Sequence, residues 1–217
     1  MEEVTDKVAF ITGGSSGIGL GTAKAFVDAG MKVVIGYMTK KNLEEAMAAL
    51  GNCDGRVHAI HVDVTNRSEV QAAALAIKRT FGKLHVLVNS AGVGVLSPLF
   101  RTSYEDWDWT IGVNLTGVFN CVQTCLPYLQ EHDEGGQIVA IASMSGLYAA
   151  GIVGAYTTSK FAVVGMMEEL RAELVNTNIG VSVCCPGLVK SKIISADRNR
   201  PAERPPHRRR GRRCNRS

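Results

Sequence analysis

Short apolar runs alternate with amphipathic stretches of helical period along most of this 217-residue chain, and this alternation constrains its fold more than any other feature. The runs predict strands at 7–12, 32–36, 56–62, 84–89, 137–142 and 180–185, and helices at 17–29, 42–50, 67–81, 104–131 and 155–177. Because the strand runs are apolar throughout, we expect parallel strands with helices packed on both faces. The sequence therefore predicts a three-layer α/β/α fold with a doubly wound parallel sheet.

Residues 1–197 are predicted to form one Rossmann-type domain, and residues 198–217 a disordered Arg/Pro-rich tail. The tail holds nine of the 24 Lys and Arg residues and one of the 20 Asp and Glu residues, so it carries +8 and the body −4. An acidic body gives no electrostatic case for nucleic-acid binding. The tail is either the product of a truncated or frame-shifted gene, with the final strand and substrate lid missing, or a genuine basic segment that binds nucleic acid or an acidic partner. The abrupt change of composition favours the first explanation.

The cysteines and the N-terminus indicate a cytoplasmic protein. None of the six cysteines forms a CxxC pair or has a histidine at zinc-ligand spacing, which favours buried free thiols in a reducing compartment and no metal site. The N-terminal residues lack the apolar core of a signal peptide. The charge-free stretch from Gly135 to Ser159 is long enough to cross a membrane, but its polar residues are better explained by a buried strand, a polar loop and the start of a helix.

A glycine-rich turn follows the first predicted strand and opens the first helix. It reads Thr-Gly-Gly-Ser-Ser-Gly-Ile-Gly over residues 12–19. In such a turn, free backbone N–H groups and the helix dipole favour a pyrophosphate, and glycine leaves room for its approach. A turn of this kind also occurs for structural reasons alone, but its place after the first of six strands predicts a dinucleotide site. Its candidate residues are Gly13, Ser15, Ser16, Gly17, Ile18 and Gly19.

The end of the second strand bears on the choice of dinucleotide. A carboxylate at this place binds the ribose 2′-hydroxyl of NAD, yet residues 36–41 read Gly-Tyr-Met-Thr-Lys-Lys and the next acid is Glu44. The missing carboxylate and the two lysines favour NADP(H) over NAD(H), with Tyr37 and Lys40 as candidate contacts. The alternative is that Lys40 and Lys41 only form the solvated start of a helix.

Tyr156, Lys160 and Ser143 form a second candidate site. Tyr156 and Lys160 lie four residues apart in a predicted helix and therefore share one face. Because a neighbouring ammonium stabilises phenolate, we expect Lys160 to lower the pKa of Tyr156 from its usual value of about 10 and to make it a usable acid/base. The Tyr-x-x-x-Lys spacing is common by chance. Ser143, however, follows the fifth strand, and ligands of open α/β sheets bind beyond the carboxyl ends of the strands.

The chain resembles the short-chain dehydrogenase/reductase family over residues 5–191. The turn at 12–19, the Ile-Ala-Ser run at 141–143 and Tyr-Thr-Thr-Ser-Lys at 156–160 match family motifs. Further matches are Asp63, Val64, Asn89, Ala91, Gly92, Asn114, Pro186, Gly187, Val189 and Ser191. Ser90 replaces the usual second asparagine after Asn89, a mild departure because the next two residues still allow a close approach of the backbone.

The resemblance implies an NAD(P)-dependent oxidoreductase that interconverts a small-molecule carbonyl and a secondary alcohol. It assigns proton transfer to Tyr156, with Lys160 tuning the pKa of Tyr156 and binding the nicotinamide ribose. Ser143 would polarise the carbonyl, and Asn114 would hold a water linked to Lys160. Asp63 and Val64 would contact the adenine; the other cofactor contacts would be Asn89, Ala91, Gly92, Pro186, Gly187, Val189 and Ser191. The resemblance also implies a homodimer or homotetramer. If the final strand and lid are missing, the alternative is a catalytically impaired dinucleotide-binding protein.

Overall fold

The computed structural model describes residues 3–53, 55–189 and 193, and its elements follow the predicted alternation. The strands are β1 (Val8–Thr12), β2 (Lys32–Tyr37), β3 (Val57–His61), β4 (Val86–Asn89), β5 (Gly136–Ile141) and β6 (Ile179–Cys184). The helices are α1 (Gly17–Asp28), α2 (Lys40–Leu50), α3 (Arg67–Phe81), α4 (Tyr104–Ile111), α5 (Gly117–Gln130) and α6 (Gly154–Glu173). The basic tail and Ser191 lie outside the described residues, and what was predicted for them stays a prediction.

The six strands form one parallel sheet in the order β3-β2-β1-β4-β5-β6. In β1, Phe10 lies opposite Val34 of β2 on one side and opposite Leu87 of β4 on the other. The strand order reverses between β1 and β4, which creates a crevice at the carboxyl ends of these two strands. The arrangement confirms the predicted doubly wound parallel sheet.

Apolar residues of the central strands face two helical layers. In β1, Val8 and Phe10 pack with residues of α3, α5 and α6, whereas Ala9 and Ile11 pack with residues of α1 and α2. Successive side chains of a strand point to opposite faces, so a run that is apolar at every position requires cover on both faces. This requirement is met in β1, where all five residues are buried.

The edge strands depart from the prediction that every strand is covered on both faces. His58 and His61 are exposed on β3, and Cys184 is exposed on β6. Each of these strands pairs with one neighbour in the described part of the chain. His58 and His61 are three residues apart and therefore point to opposite faces of β3, so neither face of this strand is fully covered. The expectation of buried thiols is therefore wrong for Cys184. It holds for Cys121 and Cys125 of α5, and burial raises the pKa of the Cys121 thiol to about 12.

The helix predicted at 104–131 is interrupted. A π-helical turn at Gly112–Thr116 separates α4 from α5, and its central residue, Asn114, is fully buried. Turns of this kind are rare inside helices and are frequent at functional sites. Because of this interruption, the side chains of α5 point in different directions from those of one unbroken helix. The hydrophobic period of the sequence did not predict the interruption.

The charge-free stretch from Gly135 to Ser159 forms β5, a loop with a 3-10 turn at Met144–Gly146, and the first residues of α6. These elements agree with the predicted strand, polar loop and helix start. Within the described ranges, no helix is both long and apolar enough to cross a membrane.

Candidate active site

A cavity of about 810 Å³ opens at the carboxyl edge of the sheet, where the strand order reverses. The glycine turn, the loop after β4 and helix α6 all contribute to its wall. The predicted site residues that line it are Gly13, Ser15, Ser16, Gly17, Ile18, Tyr37, Asp63, Val64, Ala91, Gly92, Ser143, Tyr156, Lys160, Pro186, Gly187 and Val189. The structure thus brings the glycine turn and the Ser143–Tyr156–Lys160 group to one cavity.

The glycine turn depends on positions where a side chain does not fit. Gly13 has a φ of +65°, and a Cβ there would lie 2.8 Å from the Ala91 Cα. A Cβ on Gly19 would lie 2.5 Å from the Gly13 carbonyl oxygen. Gly19 therefore allows α1 to pack against the turn; it is not among the described residues that line the cavity, and its predicted contact with the cofactor stays a prediction.

Thr12 fixes the loop after β4 against the glycine turn. Its Oγ1 accepts hydrogen bonds from the backbone N–H groups of Ser90 and Ala91, both at 3.2 Å. Thr12 is buried at the end of β1. It was not among the predicted site residues, although it is the first residue of the matched turn at 12–19.

Ser143 and Tyr156 interact through their side chains at what we call the reaction end of the cavity, formed by Ser143, Tyr156 and Lys160. The Ser143 Oγ also accepts a hydrogen bond from the Ser145 N–H at 3.1 Å, which orients the hydroxyl at the start of the 3-10 turn. Gly146 allows this turn to approach α6, because a Cβ there would lie 2.8 Å from the Lys160 carbonyl oxygen. A closely packed glycine therefore places the serine beside the tyrosine.

The charge states at the reaction end differ from the prediction. Lys160 is 5% exposed; its Nζ donates to the Ile141 carbonyl oxygen at 2.7 Å and lies 5.6 Å from the centroid of the Tyr156 ring. Burial lowers the pKa of Lys160 to about 8. Burial also raises the pKa of Tyr156, and the Ser143 hydrogen bond opposes this only in part. The predicted lowering of the Tyr156 pKa is therefore wrong for the protein by itself.

Asn114 lies behind the cavity wall and ties three segments together. Its Oδ1 accepts from the Val93 N–H at 2.8 Å, and its Nδ2 donates to the Val93 carbonyl oxygen at 2.9 Å and to the Ser159 Oγ at 3.1 Å. The Ser159 hydroxyl in turn donates to the Tyr156 carbonyl oxygen at 2.7 Å. These bonds fix α6 relative to the π-helical turn and the loop after β4. Ser159 was missed by the sequence reasoning, although it lies inside the Tyr-Thr-Thr-Ser-Lys motif.

Two predicted cofactor contacts, Lys40 and Asn89, are not among the described residues that line the cavity. Lys40 is exposed at the first residue of α2, and Met38 and Asn42 line the cavity near it instead. Asn89 is 2% exposed, and its side-chain amide has no hydrogen-bond partner among the described residues. Nothing in the sequence indicated that Asn42 lines the cavity, because a polar residue in the first turn of an amphipathic helix is ordinary.

Asp63 and Val64 follow β3 and lie at the end of the cavity away from Tyr156, which together with Thr65 we call the β3 end. The Thr65 N–H and Oγ1 donate to the Asp63 Oδ1 at 2.9 and 2.8 Å. The Asp63 N–H donates to the Glu69 Oε2 at 2.9 Å. The loop from β3 to α3 is thus held by its own side chains.

Sequence comparisons place these features among known oxidoreductases. The model of the short chain dehydrogenase family matches residues 7–202. The C alpha-dehydrogenase of Sphingobium sp. (strain NBRC 103272 / SYK-6) is 40% identical over 204 residues, which cover 94% of this chain and 67% of the relative. The 3-oxoacyl-[acyl-carrier-protein] reductase FabG of Thermotoga maritima is 35% identical over 187 residues, covering 86% of this chain and 76% of the relative.

Solved structures give the same assignment. A short chain dehydrogenase/reductase from Burkholderia phymatum, in complex with NAD, has a TM-score of 0.91 at 37% identity and covers 95% of this chain and 74% of its own. The apo form of LigO from Sphingobium sp. strain SYK-6 has a TM-score of 0.83 at 42% identity and covers 86% of this chain and 70% of its own. With its Rossmann-type sheet and motif-lined cavity, this chain belongs to the short-chain dehydrogenase/reductase family and is an oxidoreductase.

Proposed function

We propose that the chain interconverts a carbonyl compound and a secondary alcohol with a nicotinamide dinucleotide. The observation that carries this proposal is the meeting of Ser143, Tyr156 and Lys160 with the glycine turn at one cavity. The names of the relatives support it, since one is a dehydrogenase and another a reductase.

The glycine turn fits the dinucleotide. A Cβ on Gly13 would fill the space beside Ala91, and the N-terminus of α1 presents free N–H groups and the positive end of its dipole. In this proposal the turn holds the pyrophosphate, Asp63 and Val64 contact the adenine, and Lys160 binds the nicotinamide ribose. When bound, the nicotinamide supplies or accepts the hydride. The Burkholderia phymatum relative was solved with NAD, which supports the assignment.

Tyr156 is the proposed proton-transfer group. In reduction, the carbonyl carbon gains the hydride and the Tyr156 hydroxyl gives its proton to the carbonyl oxygen; oxidation reverses both transfers. The raised pKa of Tyr156 keeps the phenol protonated at neutral pH, which suits the donor role. The Ser143 hydroxyl orients the carbonyl. The Lys160 ammonium, present below about pH 8, stabilises the phenolate that remains after donation.

We further propose that NADP(H) binds more tightly than NAD(H). The support is that β2 ends without a carboxylate, so nothing at residues 36–41 repels a 2′-phosphate, and Lys40 and Lys41 lie at the exposed N-terminus of α2. Fluorescence titration with NADPH and NADH tests this preference. Equal affinities, or a preference for NADH that persists in Lys40→Ala/Lys41→Ala, contradict it.

The proposed reaction is tested by cofactor-linked turnover of a panel of ketones and secondary alcohols. Tyr156→Phe keeps the ring and removes only the proton donor, so we expect turnover to fall by about 10²–10⁴-fold while dinucleotide affinity changes little. Wild-type turnover in Tyr156→Phe would show that the proton-transfer role is wrong. Dinucleotide binding without turnover of any carbonyl or alcohol would instead indicate a binding protein.

A further inference from the structure

Two buried asparagines lie in helix α5 and in the π-helical turn before it. Each asparagine is hydrogen-bonded to the backbone of a different loop that lines the cavity. Asn114 is bonded to Val93 in the loop after β4. Asn120, six residues further on and 3% exposed, donates from its Nδ2 to the Val64 carbonyl oxygen at 2.9 Å in the loop after β3. Nothing in the sequence motifs singles out Asn120, and the proposed reaction does not use it.

The loop after β3 lies unusually close to α5 at this point. A Cβ on Gly117 would lie 2.5 Å from the Val64 Cγ2, so only glycine permits the observed approach. Val64 is 6% exposed, and its carbonyl therefore needs a protein donor in place of water. Asn120 supplies that donor, and it is the contact that joins the carbonyl oxygen of this loop to the helix.

Arg67 fixes the orientation of the Asn120 amide. Its Nε donates to the Asn120 Oδ1 at 3.2 Å, so the amide oxygen is engaged and the Nδ2 faces Val64. Other bonds hold the loop to its own residues and to its flanking elements: Thr65 donates to Asp63, the Asp63 N–H donates to Glu69 of α3, and the Val62 N–H donates to the Tyr37 carbonyl oxygen of β2 at 3.0 Å. These bonds set the shape of the loop and its place beside β2, whereas Asn120 sets its position against α5.

We propose that Asn120 is a positioning residue for the β3 end: by holding the Val64 carbonyl, it places Asp63 and Val64 for contact with the adenosine half of the proposed dinucleotide. This inference rests on the proposed cofactor. It predicts an effect that is confined to one half of the ligand. Loss of the Asn120 donor should weaken adenosine recognition and leave the Ser143–Tyr156–Lys160 group as it was.

The test compares Asn120→Asp with Asn120→Ala in the full chain. Asn120→Asp keeps the shape but removes the N–H donor and turns a carboxyl oxygen towards the Val64 carbonyl oxygen. We expect the Kd for AMP and for the intact dinucleotide to rise about tenfold, the size expected when one buried hydrogen bond is lost. At saturating dinucleotide, kcat should stay within about twofold of wild type. Gln130→Glu makes the same amide-to-acid change at an exposed position of α5 and should alter neither quantity.

The outcomes separate this inference from the proposed function. If wild type binds neither AMP nor a dinucleotide, the proposed function fails and the inference fails with it. If wild type binds both and the Asn120 variants bind them equally well, only the inference is overturned. An equal loss of kcat and affinity would also overturn it, since a general loosening of the fold produces that result. Arg67→Met changes an exposed residue and should give a smaller rise in the AMP Kd. If the Asn120 variants do not fold, this variant decides whether the Asn120 amide positions the loop.

Discussion

Two parts of the cavity wall, the glycine turn as the first end and the reaction end as the second, differ in how they are built. The glycine turn consists of backbone brought close together, with Gly13 against Ala91 and Gly19 against Gly13. The reaction end consists of side chains, Tyr156 and Lys160, on one face of α6. At the first end, a ligand meets backbone N–H groups that every residue type except proline possesses. At the second, it meets a hydroxyl and an ammonium that few residue types can replace.

This difference predicts opposite sensitivities. The glycine turn should tolerate no added atoms, whatever their chemistry, because the contacts there leave less than a van der Waals distance for a Cβ. The reaction end should tolerate changes that preserve shape and lose its activity when one functional group is removed. Substitutions at the two ends should therefore separate binding from turnover.

Lys160→Met is expected to have the largest effect. It removes the ammonium that would stabilise the phenolate and bind the nicotinamide ribose, so we expect turnover to fall by about 100-fold or more, with weaker dinucleotide binding. Steady-state kinetics and fluorescence titration measure the two losses. Turnover within a few-fold of wild type would show that the reaction end does not depend on this charge.

The same variant also tests the pKa of Lys160 through stability. The pKa of about 8 in the folded protein lies below the ordinary lysine value of 10.5. Between pH 8 and 10.5 the unfolded chain thus binds a proton that the folded protein does not, and the free energy of unfolding of wild type should rise over this range. Lys160→Met lacks this component, so its stability relative to wild type should fall from pH 8 to pH 10.5. A difference that is constant with pH contradicts the lowered pKa.

Gly19→Ala should mainly damage binding. Its Cβ would lie 2.5 Å from the Gly13 carbonyl oxygen, so the turn must shift. We expect this shift to lower the free energy of unfolding by about 1–3 kcal/mol and the dinucleotide affinity by roughly tenfold or more. Gly21→Ala is the matched control, because it lies in the same helix with no atom within 4 Å of the added Cβ. If both alanines bind the dinucleotide equally well, the close approach is not what restricts this end.

Ser159→Ala should have a smaller effect, on turnover more than on binding. It leaves the Asn114 Nδ2 and the Tyr156 carbonyl each without one buried hydrogen bond, so we expect kcat to fall about tenfold as Tyr156 loses its fixed placement. Thr158→Ala is the control: the Thr158 Oγ1 donates to the Gly154 carbonyl oxygen in the same way but at an exposed position. A fall in kcat of the same size in both variants would assign no role to the buried network.

The difference between the ends also explains what could be predicted from the sequence. Glycine and the Tyr-x-x-x-Lys spacing are local patterns, so the turn and the residues of the reaction end could be predicted from them. Thr12, Asn120 and Ser159 act through partners that are distant in sequence, such as Val64 for Asn120. Thr12 and Ser159 lie inside matched motifs, but a motif does not show which of its polar residues makes such a contact, and the matched motifs do not include Asn120. The pKa of Tyr156 was predicted in the wrong direction because burial raises it by more than the Ser143 side chain lowers it, and burial is a property of the folded protein.

The smallest expected effect on activity comes from His85, at the opposite, amino edge of the sheet. Its Nδ1 accepts from the Val8 N–H at 3.0 Å, its Nε2 lies 3.2 Å from the Glu134 Oε2, and its ring lies 4.6 Å from that of His132. Burial, which disfavours the charged imidazolium, lowers the pKa of His85, and the hydrogen bond with Glu134 opposes this only in part.

As pH falls from 7 to 5, His85 binds a proton in the unfolded chain before it does so in the folded protein. The free energy of unfolding should therefore decrease over this range. This one group contributes a slope of at most about 1.4 kcal/mol per pH unit. Glu134 titrates outside this window, because hydrogen bonds from Lys7, Lys83 and His85 hold its pKa far below 4.5. His85→Gln should reduce the slope and leave both kcat and dinucleotide affinity unchanged at pH 7. Denaturant unfolding at several pH values measures the slope of the free energy of unfolding. An unchanged slope refutes the lowered pKa, whereas a loss of turnover at pH 7 shows that this edge is coupled to the cavity.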